Sequence, residues 1–392
     1  MQVRRCAHLS VILEDEPRFD IRALLEGGDG LVRCQRWRAY APHLDAPVDV
    51  APEHLAVLAA IASDAWTDLA AVREHQGATA VDALLASGLL LADDQASAGR
   101  RARDDAARSD DWWPPALVAQ VHGAWEGVDV GARSEAGQMP SARELVETFG
   151  PAPAACVRRA PQAPALQLAP TMRTDFDTLL ADRRTCRNFD PEAPLDAVRF
   201  STMLRRVWGA LGTRELAPGA VAVKKTSPAG GGLHAVEAYV LVQRVEGLAP
   251  GLYHYLALEH SLEPLRQLPP AEAVGLARRF VAGQDWFRDV PVMVVMVARF
   301  DRLFWKYRRH AKAWRVAHLD VGHLSQTMYL SATELSLGCF VTAAINDREI
   351  AGALELQLPR EAAIAVVGFG ERSGRLATME LDTFDPTPAS QR

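Results

Sequence analysis

Arg183-Arg184-Thr185-Cys186-Arg187-Asn188-Phe189 is the run on which the reading of this 392-residue chain turns. Guanidinium groups spaced this closely can fork onto a phosphate through paired N–H donors. The same spacing also makes a solvated basic face, and the run alone does not choose between them. Its neighbourhood is an alternation of helical and strand patterns. Leu195 to Leu211 places Leu195, Val198, Phe200, Met203, Leu204, Val207, Trp208 and Leu211 largely on one helical face, with Asp196 as cap. Strands are expected at Glu237–Val242, Gly251–Tyr255, Leu262–Arg266, Val290–Phe300 and Ala363–Phe369, and a long helix at Val316–Leu337 that ends at Gly338. Long helices among strands in non-repeating order point to an α+β class.

Three other runs could carry chemistry. Lys225-Thr226-Ser227-Pro228-Ala229-Gly230-Gly231-Gly232-Leu233-His234 lets a backbone approach a flat or anionic ligand, or is a flexible loop. It lacks the Gly-Lys-Ser/Thr of a P-loop. Gly368, Gly370 and Gly374 follow a strand, but their spacing and the few residues after them do not make a dinucleotide site. His318 and His323, five apart, do not share a helix face as metal ligands four apart would, so no metal is expected.

Upstream, Cys6–Leu13 and Leu31–Tyr40 read as strands around a turn at Glu26–Gly30. Helices are expected at Pro52–Ala62, Asp68–His75 and Ala80–Ser87, with Thr67 and Thr79 capping the last two and Gly88 stopping the third before Leu89-Leu90-Leu91. This is the outline of a winged-helix-like unit, a shape used to read DNA, to dock peptides, or as plain structure. A DNA-reading helix needs clustered cations, and Thr67 to Ser87 supplies only Arg73 among Asp68, Glu74 and Asp82. Asp93–Asp111 and Gly150–Pro170 read as surface connections, and the tryptophans at 112, 113 and 125 as an aromatic patch between units. The expected division is 1–95 for the winged-helix-like unit, 96–170 for the connection and 171–392 for the second domain. A chain of this length exceeds the size at which one core usually stops growing.

With 49% hydrophobic and 23% charged residues and a net charge of -6, the composition suits a soluble protein and implies neither nucleic acid nor membrane as partner. Met1–Ser10 has no signal-peptide core, so a cytoplasmic location is expected. The 5 cysteines, Cys6, Cys34, Cys156, Cys186 and Cys339, are scattered without zinc spacing, which argues against disulfides and zinc. Cys186 is either a reactive thiol or a space-filler.

Together the runs resemble the nitroreductase superfamily, and within it the SagB-type dehydrogenases that act on ribosomally made peptides, over about Asp175 to Gly370. Arg183 to Phe189 is similar to that family's Arg-Arg-Ser-x-Arg-x-Phe, with Thr185 for the usual Ser. Pro228-Ala229-Gly230-Gly231 resembles its Pro-Ser-Gly-Gly flavin loop, with Ala229 for Ser and Ser227 as the neighbouring hydroxyl. Gly251-Leu252-Tyr253-His254-Tyr255 is typical of the SagB branch. Lys306-Tyr307, Trp314-Arg315 and Gly322-His323-Leu324-Ser325-Gln326 resemble the series in peptide azoline oxidases. Thr342-Ala343-Ala344 stands where the family has a Gly-Gly segment whose backbone meets the flavin ring.

The resemblance implies a nitroreductase-like FMN-binding fold with a central antiparallel-rich sheet flanked by helices. It also implies an obligate homodimer with the flavin between subunits, and a precursor peptide and a cyclase as partners. Arg183, Arg184, Thr185, Arg187 and Arg372 would hold the phosphate and ribityl chain. Ser227, Pro228, Ala229, Gly230 and Gly231 would line the ring, with Thr342, Ala343, Ala344 and Gly368. Azoline oxidation removes a proton from carbon and delivers a hydride to flavin, so Lys306 would be the base, with Tyr307 orienting it or relaying the proton. Positive charge from Arg302, Arg308, Arg309 and Lys312 would favour neutral Lys306 if they gather round it. Two other functions fit the same residues: reduction of dehydroamino acids or small nitro or ene compounds with NAD(P)H, and a non-catalytic partner presenting peptide to a cyclase.

Overall fold

The structure, a computed structural model, describes residues 1–160 and 162–380. Pro161, within the expected connection, and residues 381–392, at the end of the expected second domain, lie outside the described residues. The elements run β1 (Gln2–Arg5), β2 (Ser10–Phe19), α1 (Ile21–Leu25), β3 (Leu31–Tyr40), β4 (Val48–Val50), α2 (Pro52–Ala60), β5 (Thr67–Asp68), α3 (Leu69–Gln76), α4 (Ala78–Ser87) and β6 (Leu90–Ala92). Helices α5 (Ala98–Ser109), α6 (Pro114–His122), α7 (Val130–Glu135) and α8 (Ala142–Phe149) follow. The rest is α9 (Asp175–Asp182), α10 (Ala197–Val207), β7 (Gly212–Ala217), β8 (Ala220–Lys224), β9 (Val236–Val242), β10 (Gly251–Leu256), β11 (Ser261–Gln267), α11 (Pro270–Phe280), β12 (Val292–Arg299), α12 (Phe300–Tyr307), α13 (Lys312–Glu334), β13 (Gly338–Thr342), α14 (Asp347–Ala353) and β14 (Glu361–Gly370).

The main sheet has six strands in the order β11-β10-β9-β12-β14-β13, and every neighbouring pair is antiparallel. Strand β12 explains why the sheet is central. Val292, Val294 and Met296 face one core cluster with Phe200, Met203 and Met328, while Met293, Val295 and Val297 face the other with Leu276, Phe280 and Ile350. Alternation at period two therefore buries both faces, α10 and α13 covering one and α11 and α14 the other. Asp196 caps α10 by accepting from the Arg199 N–H at 2.8 Å, as expected. Val198 and Leu211, assigned to the apolar face, are exposed instead: α10 spans only Ala197–Val207, so Leu211 lies beyond it. The hairpin β7–β8 and strand β13 are additions; β7 is exposed throughout, so burial imprints no alternation on it.

At the N-terminal end β1 pairs with both β5 and β6. The expected Cys6–Leu13 strand is divided, because Cys6 donates its N–H to Leu89 O and Ala7 donates to the Asp104 carboxylate, turning the chain before β2 starts at Ser10. Thr67 does not cap α3; it is held in β5, and Asp68 accepts from the Ala71 N–H. Thr79 lies inside α4, which starts after Gly77 at φ 87°.

The largest departure is Asp93–Asp111, which is no surface connection. Helix α5 fills most of it and buries Asp104 to 1% exposure, its carboxylate accepting from Ala7 N–H, Arg4 and Arg108. The apolar residues of α5 are alanines, so its inward face is written in charge and escapes a hydrophobic pattern. Trp112, buried between Phe300 and Phe304 with ring centroids 4.5 and 4.6 Å away, fastens this segment to the second domain. No described helix is long and apolar enough to cross a membrane.

Candidate functional site

The arginine run leaves the end of α9 as extended chain, and Cys186 donates its N–H to Cys339 O at 2.8 Å, stitching it to β13. Cys186 points inward and is fully buried, and burial pushes its thiol up to about 12. It is a space-filler seated where a Cβ on Gly338 would collide with it. Arg183, Arg184, Thr185 and Arg187 are half-buried. The Thr185 and Tyr329 hydroxyls lie 3.0 Å apart, and the Arg183 guanidinium sits 5.2 Å from the Tyr329 ring centroid. Arg372 arrives from beyond β14, bridging to Phe189. The fully buried Glu380 carboxylate accepts from Arg372 and from the N–H groups of Arg187 and Asn188.

The second group forms at the glycine loop. Buried Ser227 lies 2.6 Å from the Thr327 hydroxyl of α13, and Gly230 donates its N–H to Asp320 Oδ1 at 2.9 Å. Burial raises the Asp320 carboxyl above its usual range, and its other oxygen has no partner among the described residues. Gly231 has φ 65°, and a Cβ there would run into the ends of both Lys306 and Tyr307. Lys306 donates from Nζ to Gly231 O at 2.9 Å. The glycine loop and the Lys-Tyr pair, separate in sequence, are therefore one cluster.

The expected crowding of Lys306 by cations is only partial. Arg308 and Arg309 both turn to Asp111, which takes them out of that neighbourhood, while Lys312 lies 4.8 Å from the Tyr307 ring centroid. Of the remaining expected residues, Pro228 is exposed and Ala229 half-buried. Thr342 is buried with its hydroxyl 3.1 Å from Gln284 Nε2; Ala343 is exposed and Ala344 half-buried. Gly368 lies within β14, where a Cβ would strike the Phe340 ring, so this glycine makes room for Phe340.

A cavity of 1090 Å³ opens beside the cluster, lined by Gly231, His234, Arg302 and Lys306, and also by Lys225, Glu237 and His254. The arginines of the 183–187 run do not line it. Both groups touch α13, one at Tyr329 and the other at Asp320 and Thr327.

Glu237 and Arg299 were not singled out from sequence, and Lys225 and His254 were quoted only within longer runs, without a role of their own. Glu237 comes from β9 and His254 from β10, and their side chains meet at 3.5 Å across the sheet. Burial favours protonated Glu237, but His254 and the charges of Lys225 and Arg299 hold its carboxyl below the usual range. The Glu237 carboxylate beside it raises His254. Burial, with Lys225 and Arg302, lowers His234 to about 4. The one signal available was a lone carboxylate in an otherwise apolar strand.

Residues 180–371 match the nitroreductase family. MJ1384 of Methanocaldococcus jannaschii, a protein named as a nitroreductase, is 28% identical over 193 residues, covering 49% of this chain and 90% of its own length. The trifolitoxin-processing protein TfxB of Rhizobium leguminosarum bv. trifolii is 25% identical over 135 residues, 34% of this chain and 36% of its own. The microcin B17-processing protein McbC of Escherichia coli is 27% identical over 154 residues, 38% of this chain and 55% of its own. The chain thus spans about a third and about half of the two peptide-processing proteins. Residues 180–371 of this chain form a nitroreductase-family domain.

Proposed function

We propose that this chain is an FMN-dependent, SagB-type dehydrogenase that matures a ribosomally made peptide by oxidising an azoline ring to an azole. The observation that carries the reading is the Lys306 contact with Gly231 O at 2.9 Å beside the 1090 Å³ cavity, since it joins the glycine loop to a candidate base. The likeness to proteins that process microcin B17 and trifolitoxin supports a peptide substrate.

The residues present fit FMN. The charges of Arg183 and Arg372 both bear on the Cys339 thiol, and with Thr185 and Arg187 of the same run they would clamp the phosphate, Arg372 being held meanwhile by Glu380. At the other group, Gly232 leaves open space where a side chain would stand, as a planar ring needs, while the Cβ side of Gly231 is covered by the ends of Lys306 and Tyr307. Ser227, Pro228, Ala229, Gly230 and Gly231 would flank that ring, with Thr342, Ala343 and Ala344 on the opposing side. When bound, the flavin supplies a two-electron oxidant. Thr327 and Tyr329, two residues apart on α13, each serve a different group, and a homodimer in which each subunit contributes one group to a site would use both.

Lys306, exposed at the cavity, accepts the proton from the ring carbon once it has given up its own, and the Tyr307 hydroxyl beside it orients or relays that proton. The unit at 1–95 docks the precursor peptide, 96–170 fastens it, and the domain from 171 onward does the chemistry with a cyclase as partner. Docking of peptide rather than DNA is supported by Arg73, the cation expected on α3 and α4, which is already paired with Asp82 at 2.6 Å.

The test is Lys306→Ala: bound flavin is retained and turnover of an azoline peptide falls about 10²- to 10⁴-fold, the usual worth of a general base. Undiminished loss of two hydrogens by mass spectrometry would remove Lys306 from the role. Rapid bleaching of the flavin by NADPH would favour the reductive direction.

A further inference from the structure

We propose that the 1090 Å³ cavity contains an anion subsite at Lys225 that takes a side-chain carboxylate of the substrate peptide, from an Asp or Glu residue. The proposal rests on the reading of this cavity as the peptide site.

Lys225 is only 5% exposed, yet it lines both this cavity and a small one shared with His234 and Asp320. Among the described residues nothing accepts a hydrogen bond from its ammonium, and no carboxylate lies within 4 Å of it. A buried charge without a partner is unfavourable, and burial accordingly lowers the Lys225 ammonium; an anion delivered to it would offset that cost. The two other cations at this end are in a similar position. Arg302 donates only to Leu233 O and Val221 O, and Lys306 only to Gly231 O.

The acids of the wall are engaged elsewhere. Glu237 faces His254 at 3.5 Å and Arg299 at 3.9 Å, Asp301 pairs with Arg299 at 2.9 Å, and Glu259 is on the exposed rim. Glu237 is the carboxylate whose field reaches Lys225, but its oxygens are turned to those partners, beyond ion-pair distance of the ammonium. Lys225, Arg302 and Lys306 therefore converge on one space with cationic donors to spare. The volume exceeds the ~300–1,000 Å³ typical of a drug-sized ligand, and Leu216, Leu256 and Trp305 add apolar wall for neighbouring residues of a peptide.

The experiment is calorimetric titration of the full chain with three probes: acetyl-Gly-Ser-Asp-Ser-Gly-amide, its Asn counterpart, and glutarate as a free dicarboxylate. One charge-assisted hydrogen bond corresponds to about tenfold to a hundredfold in affinity, so the Asp peptide is expected to bind tighter than the Asn peptide by that factor. Lys225→Met should erase the preference without changing Asn-peptide affinity, and Arg302→Gln should reduce it. Equal binding of the two peptides by the native chain overturns the subsite, whatever the variants do. So does a preference that survives in a folded Lys225→Met chain. Glutarate binding as tightly as the Asp peptide would overturn the assignment to a peptide. None of these readings involves flavin or turnover, so failure of the Lys306→Ala test leaves them standing, and their failure leaves the dehydrogenase reading standing.

Discussion

The glycine triplet offers a sharp test of whether Lys306 and Tyr307 act from where they stand. Gly230, Gly231 and Gly232 are consecutive, but a methyl group meets something different at each. At Gly232 (φ 68°) it enters open space, so Gly232→Ala reports only the left-handed backbone, ~1–2 kcal/mol. At Gly231 (φ 65°) the same backbone term applies, and the methyl also meets the ends of Lys306 and Tyr307. Both are tips of long side chains that can swing away, so the added stability cost is little more than the Lys306 hydrogen bond, about 0.5–1.5 kcal/mol. At Gly230 the methyl meets the β-branched Val316 on α13, which has no such freedom, and overpacking of ~1–3 kcal/mol is expected. Urea denaturation of the three Ala variants should therefore place Gly231→Ala close to Gly232→Ala in stability. Turnover should separate them: Gly232→Ala stays near the parent rate, while Gly231→Ala, with the base and its tyrosine displaced, loses up to about 10²- to 10⁴-fold. The assay is loss of two hydrogens from an azoline peptide, with bound flavin measured in parallel. Equal turnover in Gly231→Ala and Gly232→Ala would refute the reasoning, since the Lys306 and Tyr307 positions would then be immaterial.

Trp112→Ala should destabilise the chain by ~3–5 kcal/mol in the same denaturation assay, because it empties the space between Phe300 and Phe304. His234, lowered to about 4 by burial and neighbouring cations, is neutral when folded but would take a proton near pH 6.5 when unfolded. Its contribution to stability is thus present above pH ~6.5 and lost as pH falls toward 4; the midpoint of denaturation should drop across that window, and less so in His234→Gln. Maleimide should label exposed Cys156 and half-buried Cys34 in the native chain while sparing Cys6, Cys186 and Cys339 until it unfolds, as peptide mapping would reveal.

How much could be read from the residues alone depended on what each element is made of. Strand β12 was legible because its unbroken apolar run is buried on both faces, and Leu31–Tyr40 because its bounds coincide with turn residues. Helix α5 was not, because Asp104 sits where a leucine would have betrayed the inward face. Hairpin β7–β8 escaped for the opposite reason: it faces solvent, and nothing there selects one side chain over the next.

The same distinction runs through the site. Arg183 to Arg187, the glycine loop and Lys306-Tyr307 were legible as separate patterns, each with a bland reading, and none contained the information that Gly231 lies under Lys306. That contact arises because α12 follows β12 and the glycine loop precedes β9, and these two strands are neighbours in the sheet. Position therefore does what spacing could not, and it cuts both ways. It brings Lys306 to the glycine loop, but it turns Arg308 and Arg309 away to Asp111, which removes two of the four cations expected round Lys306. The cations that line its cavity with it are Lys225, Arg299 and Arg302.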